Sequence, residues 1–343
     1  MSIKIAINGF GRIGRLAFRR IAEEKGMEVV AINDLTDAEN LAYLLKYDTA
    51  HGRFHVDDIS VTADGTAIVF KGKEIPVYAQ PDPTLLNWTK HGVDIVLECT
   101  GRFRGKEDAA VHLQEGVKAV IISAPADKET PMFVYGVNTD KLTKEMTVIS
   151  GASCTTNALA PVVKVLDDNF GIVHGLMTTV HAYTNDQTIL DLPKKKAARR
   201  GRAGAMNIVP TSTGAAKAIG QVIPHLNKKL DGGALRVPVL DGSMVDLTVI
   251  LKKKVTAEEI NAAMKKAAAG KMKAILGYTE DEVVSNDIIG DTHGGLFDAT
   301  LTKVMEVDGE QLVKVMFWYD NEYGYTCQYI RLAAEVAKVH GLK

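Results

Sequence analysis

The stretch SGASCTTNALAP (150–161) holds the residue best suited to covalent chemistry, Cys154. Small and hydroxyl residues surround the cysteine and an apolar helical pattern follows it, so Cys154 is predicted to lie at or near a helix N-terminus. The amide groups and dipole of a helix N-terminus favour an anion, and we expect them to lower the thiol pKa below its usual value of about 8.5. A thiolate there is a nucleophile suited to attack on a carbonyl carbon.

A cysteine nucleophile needs a partner base, and the candidate is His181 in TTVHAYTNDQT (178–188). A Cys/His pair from separate segments could hold the thiolate and then move a proton. Taken singly, a free cysteine is more often a small buried hydrophobe, and a histidine is more often structural. The polar neighbours of Cys154 and its pairing with His181 favour catalysis, whereas the apolar surroundings of Cys99 and Cys327 indicate packing.

A second site is predicted near the start of the chain, where Gly9, Gly11 and Gly14 have G-x-G-x-x-G spacing. They follow the strand pattern IKIAIN (3–8) and open a helical pattern, as in a dinucleotide-binding turn. Asp34 closes the next strand pattern, where a ribose-binding carboxylate belongs, and its charge favours NAD because it would repel a 2′-phosphate. The alternative is that these residues only form a turn and a helix cap, and the agreement of strand, spacing, helix and acid weakens it.

The order of apolar patterns predicts how the two sites are held. In the first half of the chain, short apolar runs alternate with helical patterns, which is typical of a parallel sheet covered on both faces. Later, long alternating runs such as 234–253 favour a largely antiparallel sheet. We therefore predict an α/β protein with a Rossmann-type NAD-binding domain at 1–152 and an α+β catalytic domain at 153–318. An amphipathic C-terminal helix, about 319–343, is predicted to return to the first domain.

Composition argues against several classes of protein. The chain has 41 basic and 42 acidic residues, and this balance favours neither a nucleic-acid partner nor a membrane surface. No apolar run approaches the roughly 20 residues of a spanning helix, and the first residues do not resemble a secretory signal. Three widely spaced cysteines form neither a disulfide framework nor a zinc pattern, so we predict a cytoplasmic protein without a metal.

A set of motifs, in order along nearly the whole chain, carries a resemblance to a known family: INGFGRIGR, ECTGRF, ISAPADKETPMFVYGVN, ASCTTNALAP, VHAYTNDQ, PTSTGAAKAIG, LRVPV and WYDNEYGY. The chain resembles the phosphorylating, NAD-dependent glyceraldehyde-3-phosphate dehydrogenases of the bacterial type, and the block ASCTTN…LAP is its most specific motif. The resemblance implies oxidative phosphorylation of D-glyceraldehyde 3-phosphate to 1,3-bisphosphoglycerate in glycolysis. It implies that Cys154 forms a thiohemiacetal and then a thioester, that His181 moves the protons, and that inorganic phosphate attacks the thioester.

The resemblance also implies binding residues. Several match the family's contacts to the cofactor: Arg12 and Ile13 at the pyrophosphate, Asp34 at the adenosine ribose, Ser123 at the nicotinamide half and Asn321 at the carboxamide. Others match its two phosphate sites: Thr184 and Arg236 for the phosphate of the substrate, Ser153, Thr155, Thr213 and Gly214 for the attacking phosphate, and Arg200 near both. Pro81 departs from the family, which often has an arginine there, and this removes one contact near the cofactor.

The basic stretch KKKAARRGR (194–202) has two interpretations. The resemblance places it in a loop that wraps the cofactor site of a neighbouring subunit in a homotetramer. Alternatively, it supports binding to nucleic acid or, as a surface adhesin, to a surface partner, which we treat as a secondary role. The nearest enzymatic alternative is erythrose-4-phosphate dehydrogenase, which forms the same thioester but hydrolyses it.

Overall fold

The computed structural model describes residues 2–342, and the chain divides into two compact units. The first unit comprises the residues up to 135, residues 139–152 and the residues from 329 onward, and the second comprises 136–138 and 153–328. The assignment of a function to each part of the chain stays a prediction at this point.

The first unit is built around a mostly parallel sheet. Its strands and helices are β1 (Ile3–Asn8), α1 (Arg12–Glu23), β2 (Met27–Asn33), α2 (Ala38–Lys46), β3 (Tyr47–Asp48), β4 (Gly52–Arg53), β5 (Ile59–Val61), β6 (Ala67–Phe70), β7 (Lys73–Tyr78), β8 (Ile95–Glu98), α3 (Lys106–Ala110), β9 (Ala119–Ile122) and β10 (Val148–Ser150). The sheet order is β10-β9-β8-β1-β2-β7-β6-β5, and the pairs from β10 to β7 are parallel.

The central strands of this sheet are covered on both faces. Every residue of β8 and of β9 is buried, as expected for strands covered on both faces. The strand order reverses at β1, which lies between β2 and β8. In open α/β sheets a ligand cleft forms at such a reversal, beyond the carboxyl ends of the strands. The topology therefore places a cleft where the glycine motif follows β1.

The second unit is built around a mostly antiparallel sheet. Its strands and helices are α4 (Cys154–Phe170), β11 (Ile172–Ala182), β12 (Val209–Ser212), α5 (Ala215–Val222), β13 (Leu230–Val237), β14 (Ser243–Leu251), α6 (Ala257–Ala269), β15 (Leu276–Thr279), β16 (Gly295–Val307) and β17 (Glu310–Tyr319), followed by α7 (Tyr323–Val339), which the two units share. The order is β12-β13-β11-β14-β17-β16-β15, and only β11/β13 and β15/β16 are parallel among the described strands. The predicted fold class is therefore confirmed.

Helix α4 covers one face of this second sheet. It packs against β14, β16 and β17, and the alternating residues Val245, Leu247 and Val249 of β14 are completely buried. This period of two is that of a sheet with one face on the core. The packing of α4 against these strands therefore fixes the position of its first turn, which begins at Cys154. Among residues 2–342, no helix is both long enough and apolar enough to cross a membrane.

Candidate active site

The three glycines of the first motif have different structural roles. Gly9 has φ +93°, and a Cβ there would lie 2.6 Å from the amide nitrogen of Thr100. A Cβ on Gly14 would overlap the carbonyl oxygen of Gly9, whereas a Cβ on Gly11 would meet nothing within 4 Å. Gly9 and Gly14 are therefore required by packing of the turn, and Gly11 leaves open space at the N-terminus of α1. That space fits a group bound close to the backbone, as a pyrophosphate is.

Asp34 is held beside this turn by backbone amides. Its carboxylate accepts hydrogen bonds from the amides of Phe10 (2.6 Å) and Leu35 (2.7 Å). Asp34, Gly11 and Pro81 all line one cleft of the first unit. The carboxylate is thus oriented in the cleft, and its remaining lone pairs can accept from a diol.

The side chain of Arg12 is directed to another carboxylate. It forms an ion pair with Asp48, which is almost completely buried. Burial opposes ionisation of Asp48, but the bonds from Arg12 and from the His51 amide prevail and lower its pKa to about 2. Ile13 lies in the first turn of α1, where amide groups point out of the helix. The backbone of this turn, rather than the Arg12 guanidinium, is therefore suited to contact a pyrophosphate.

The cleft rests on a buried side-chain network that the sequence analysis missed. Asn8 donates to Glu98 (2.5 Å), Asn33 donates to Asn8 (2.7 Å), and the amide of Thr100 donates to Glu98 (2.8 Å). These bonds join the carboxyl ends of β1, β2 and β8. Ser123, directly after β9, is bound to the same region through its amide, which donates to the Glu98 carbonyl (2.9 Å).

Cys154 and His181 meet in the second unit. Cys154 is the first residue of α4, and His181 is the next-to-last residue of β11. The Cys154 Sγ lies 3.4 Å from the His181 Nε2. The chain enters α4 through Ala152, which has a left-handed φ of +59°, and Ser153, whose side chain caps the helix. The predicted helix N-terminus and the predicted pairing are therefore present in the structure.

Burial favours the uncharged form of both members of the pair. Burial raises the pKa of Cys154, although the Arg236 charge and the bonds from Thr155 act in the opposite direction. Burial and then the Arg236 charge lower the pKa of His181 from 6.5 to about 3. The prediction of a lowered thiol pKa is therefore wrong for this arrangement, because desolvation of the thiolate outweighs the favourable groups around it.

Arg236 and a backbone carbonyl act on the other side of the imidazole ring. The His181 Nδ1 lies 2.7 Å from the carbonyl oxygen of Ala182, which also accepts from Arg236 Nη1 (2.8 Å). The same Nδ1 lies 2.7 Å from Arg236 Nη1, which can only donate. The carbonyl, which can only accept, favours a proton on Nδ1 and a lone pair on Nε2 toward the thiol, whereas the guanidinium favours the opposite tautomer. Arg236 Nε is buried and has no hydrogen-bond partner among residues 2–342. A buried guanidinium nitrogen of this kind fits an anionic ligand.

Comparison with known proteins identifies the family. Residues 3–106 match a family model described as the NAD binding domain of glyceraldehyde 3-phosphate dehydrogenase, and residues 153–321 match its C-terminal domain. Glyceraldehyde-3-phosphate dehydrogenase of Clostridium pasteurianum is 58% identical over 98% of this chain and 99% of its own length. That of Streptococcus pyogenes serotype M1 is 57% identical over 99% of both. The chain belongs to the glyceraldehyde-3-phosphate dehydrogenase family.

Membership of this family confirms two predictions. The chain is an NAD-dependent dehydrogenase, and its cofactor is NAD. The cleft of the first unit fits that cofactor, because Gly11 leaves space at a helix N-terminus and Asp34 offers carboxylate oxygens. The roles of individual residues stay predictions.

Residues expected at the two phosphate sites of the family fall into two groups. Thr184 and Arg200 both bind Asp186, and Arg200 Nε also donates to the Thr211 hydroxyl (2.8 Å). Burial opposes ionisation of Asp186, but the bonds from Thr184 and the charge of Arg200 lower its pKa. Asp186 thus holds two of the predicted phosphate ligands in fixed positions.

The second group lies at two helix N-termini. Ser153 caps α4, whereas Gly214 is the N-cap of α5 and Thr213 precedes it. The Thr155 hydroxyl lies 2.9 Å from the Tyr319 hydroxyl. Within residues 2–342, no hydrogen bond joins Thr213 or Gly214 to Ser153 or Thr155.

Tyr319 is a further residue that sequence reasoning missed. It is 1% exposed, and its hydroxyl lies 2.7 Å from that of Thr179. Its ring packs edge-on against His181, with centroids 5.8 Å apart. Tyr319 therefore fixes the imidazole ring and a residue of the first turn of α4 together. Its place in WYDNEYGY was the only signal in the sequence.

Proposed function

We propose that the chain oxidises D-glyceraldehyde 3-phosphate with NAD and inorganic phosphate, and that the product is 1,3-bisphosphoglycerate, as in glycolysis. The observation that carries the proposal is the 3.4 Å contact between Cys154 Sγ and His181 Nε2 at the start of α4. The buried, unpartnered Nε of Arg236 beside that pair supports an anionic substrate.

The first chemical step is addition of Cys154 to the aldehyde. As Sγ bonds to the carbonyl carbon, its proton passes to His181 Nε2, which then returns that proton to the carbonyl oxygen to give a neutral thiohemiacetal and a neutral imidazole. Burial disfavours both the thiolate and the imidazolium, which supports proton transfer in concert with the attack. The Cys154 amide, at the helix N-terminus, and the imidazole stabilise the oxyanion.

The second step converts the thiohemiacetal into a thioester. The hydroxyl proton passes to His181 Nε2 as hydride leaves the same carbon. NAD, when bound, supplies the hydride acceptor. A phosphate oxygen then attacks the thioester carbon, Cys154 leaves as the thiolate, and the acyl phosphate is released. The thioester retains the free energy of oxidation, which hydrolysis would dissipate.

The two anion sites follow from the ligand sets. Thr184 and Arg236 hold the phosphate of the substrate, and their hydroxyl and guanidinium groups suit an oxyanion. Helix N-termini favour anions, which supports the assignment of the attacking phosphate to the starts of α4 and α5. The ligands there are Ser153, Thr155, Thr213 and Gly214, and Arg200 acts near both sites.

The cofactor contacts follow the same assignment. The pyrophosphate is placed at the turn of Gly9, Gly11 and Gly14, with Arg12 and Ile13 in the first helical turn, and the adenosine ribose is placed at Asp34. Ser123 contacts the nicotinamide half, and Asn321 holds its carboxamide. Residues 1–152 form the NAD-binding domain and residues 153–318 form the catalytic domain. The helix predicted at about 319–343 corresponds to α7 (Tyr323–Val339), which begins later because β17 extends to Tyr319, and residue 343 lies outside the described residues.

We also propose that the enzyme is a cytoplasmic homotetramer. The segment 187–208 exposes large apolar side chains: Ile189 (88% exposed), Leu190 (74%), Leu192 (61%), Met206 (81%) and Ile208 (67%). A cluster of this kind supports contact with another copy of the chain. The free state of all three cysteines supports a reducing compartment. Sedimentation velocity tests the oligomeric state, and a monomer at working concentration would contradict it.

The deciding experiment measures NADH formed from glyceraldehyde 3-phosphate with and without inorganic phosphate, and from erythrose 4-phosphate in parallel. Turnover that requires phosphate and prefers the three-carbon aldehyde supports the proposal. Sustained turnover without phosphate, with preference for erythrose 4-phosphate, would replace it with the hydrolytic alternative.

A further inference from the structure

Asn321 is a buried amide of which only one half is bonded. The residue is 5% exposed and follows β17, and its Oδ1 accepts a hydrogen bond from the Ser243 hydroxyl (2.5 Å). Its Nδ2 has no hydrogen-bond partner among residues 2–342. The free amide group is therefore suited to an acceptor on a ligand.

Ser243 determines which half of the amide is free. Its Oγ accepts from the amide of Ala182 (3.0 Å), so the hydroxyl proton is available for the Asn321 Oδ1. If the Asn321 amide turned over, its NH₂ group would face Oγ and the hydroxyl proton of Ser243 would lose its acceptor. Ser243 is 1% exposed, so water does not readily replace that acceptor. The hydroxyl thus holds Oδ1 inward and Nδ2 outward.

The position of Ser243 in the sheet allows its hydroxyl to contact both Ala182 and Asn321. It is the first residue of β14, which lies between β11 and β17. In the sheet it pairs with Tyr319, the last residue of β17, two residues before Asn321. On its other side, β11 ends at Ala182, directly after His181. One hydroxyl therefore links the strand end that carries the catalytic base to the loop that carries Asn321.

We propose that Ser243 is a positioning residue for the nicotinamide ring, acting through the amide of Asn321. The inference rests on the proposed role of Asn321 at the carboxamide. A carboxamide oxygen that accepts from Nδ2 fixes the rotation of the ring about its glycosidic bond. Ser243 then affects both the affinity for the nicotinamide half and the face of the ring that receives hydride.

The first test measures binding, by calorimetry, of NAD and of ADP-ribose, which lacks the nicotinamide. In Ser243→Ala we expect the Kd for NAD to rise about 5-fold, the equivalent of one hydrogen bond, and the Kd for ADP-ribose to stay unchanged. Thr302→Val is the matched control, because the Thr302 hydroxyl donates to the Asn261 Oδ1 (2.7 Å) in the same type of bond. The control should leave both affinities unchanged.

The second test follows the hydride itself. Glyceraldehyde 3-phosphate deuterated at the aldehyde carbon transfers deuterium to C4 of the ring, and NMR of the NADH shows which face received it. The wild type should label one face, whereas Ser243→Ala should place a measurable fraction on the other. Labelling of one face only in Ser243→Ala, with an unchanged Kd for NAD, would overturn the proposal.

Asn321→Ala separates the two levels of the argument. If it weakens NAD relative to ADP-ribose while Ser243→Ala does not, Asn321 keeps its role and the inference about Ser243 fails. If neither variant changes NAD binding, the proposed role of Asn321 fails, and the inference fails with it. Equal loss of NAD and ADP-ribose affinity in Ser243→Ala would show a structural role only, and would also overturn the proposal.

Discussion

The nucleotide cleft of the first unit and the Cys154–His181 site of the second are built in different ways. The cleft is made mainly of backbone: a glycine turn between β1 and α1, with Asp34 held by two amides. The cysteine site is made of side chains from α4, β11, β13 and β17, which are separated in sequence and meet only through packing.

The two regions also differ in how burial affects the charge of their ionisable side chains. In the first unit, Asp48 keeps its charge because Arg12 and the His51 amide offset its burial. At the cysteine site, burial prevails, and the thiol and imidazole are both neutral. A backbone site is therefore sensitive to the volume of a few residues, whereas the side-chain site is sensitive to single charges nearby.

The largest expected effect is at the nucleophile. Cys154→Ser should lower kcat about 10⁴-fold or more, because a serine hydroxyl beside a weakly basic imidazole remains un-ionised. NADH formation under saturating substrates measures this. Cys327→Ala is the control, since Cys327 is completely buried in α7, and it should retain activity. Activity of Cys154→Ser within a few-fold of the wild type would remove the covalent mechanism.

Removal of one charge should change both binding and proton transfer. Arg236→Gln should raise the KM for glyceraldehyde 3-phosphate about 100-fold, since a charged hydrogen bond contributes up to about 3 kcal/mol. Because the Arg236 charge lowers the pKa of His181, the variant should also have a more basic imidazole. The same charge also lowers the pKa of Cys154, so alkylation of Cys154 by iodoacetamide should shift to higher pH in Arg236→Gln but not in the charge-retaining control Arg236→Lys. An unchanged alkylation profile in Arg236→Gln would contradict the electrostatic account.

Two alanine substitutions in the glycine turn should affect different properties, one the affinity for NAD and the other the stability of the fold. Gly11→Ala should keep the thermal stability but raise the Kd for NAD about 10-fold or more, because its Cβ enters open space at the helix N-terminus. Gly14→Ala should lower the free energy of unfolding by about 2–3 kcal/mol, because its Cβ overlaps a carbonyl oxygen. Calorimetry and thermal melts separate the two outcomes. Equal destabilisation by both would show that Gly11 is a packing glycine.

The smallest effect concerns stability against pH. The pKa of His181 is about 3 in the folded chain and 6.5 without the fold. Below pH 6.5 the unfolded chain binds a proton that the folded chain does not, so stability falls as the pH falls, by up to about 1.4 kcal/mol per unit. His181→Gln should lack this contribution. Urea unfolding of both proteins between pH 7 and about 5 measures it, and parallel curves would mean that His181 is not buried as a neutral base.

The sequence alone was most informative where a function depends on contiguous residues. The glycine turn, Asp34 and the helix that starts at Cys154 each follow from local spacing and a neighbouring apolar pattern, and the alternation of those patterns predicted both sheets. These features are local because backbone conformation and helix ends are decided by nearby residues.

Only the tertiary structure decided the charges and the supporting contacts. The pKa of His181 depends first on its burial and then on the charge of Arg236, and the ring packs against Tyr319. Both residues are far from His181 along the chain. Likewise, the contact of Ser243 with Asn321 depends on the pairing of β14 with β17. Burial and hydrogen bonding of this kind arise from the packing of distant segments, and therefore the sequence predicted the nucleophile and its base but not their protonation.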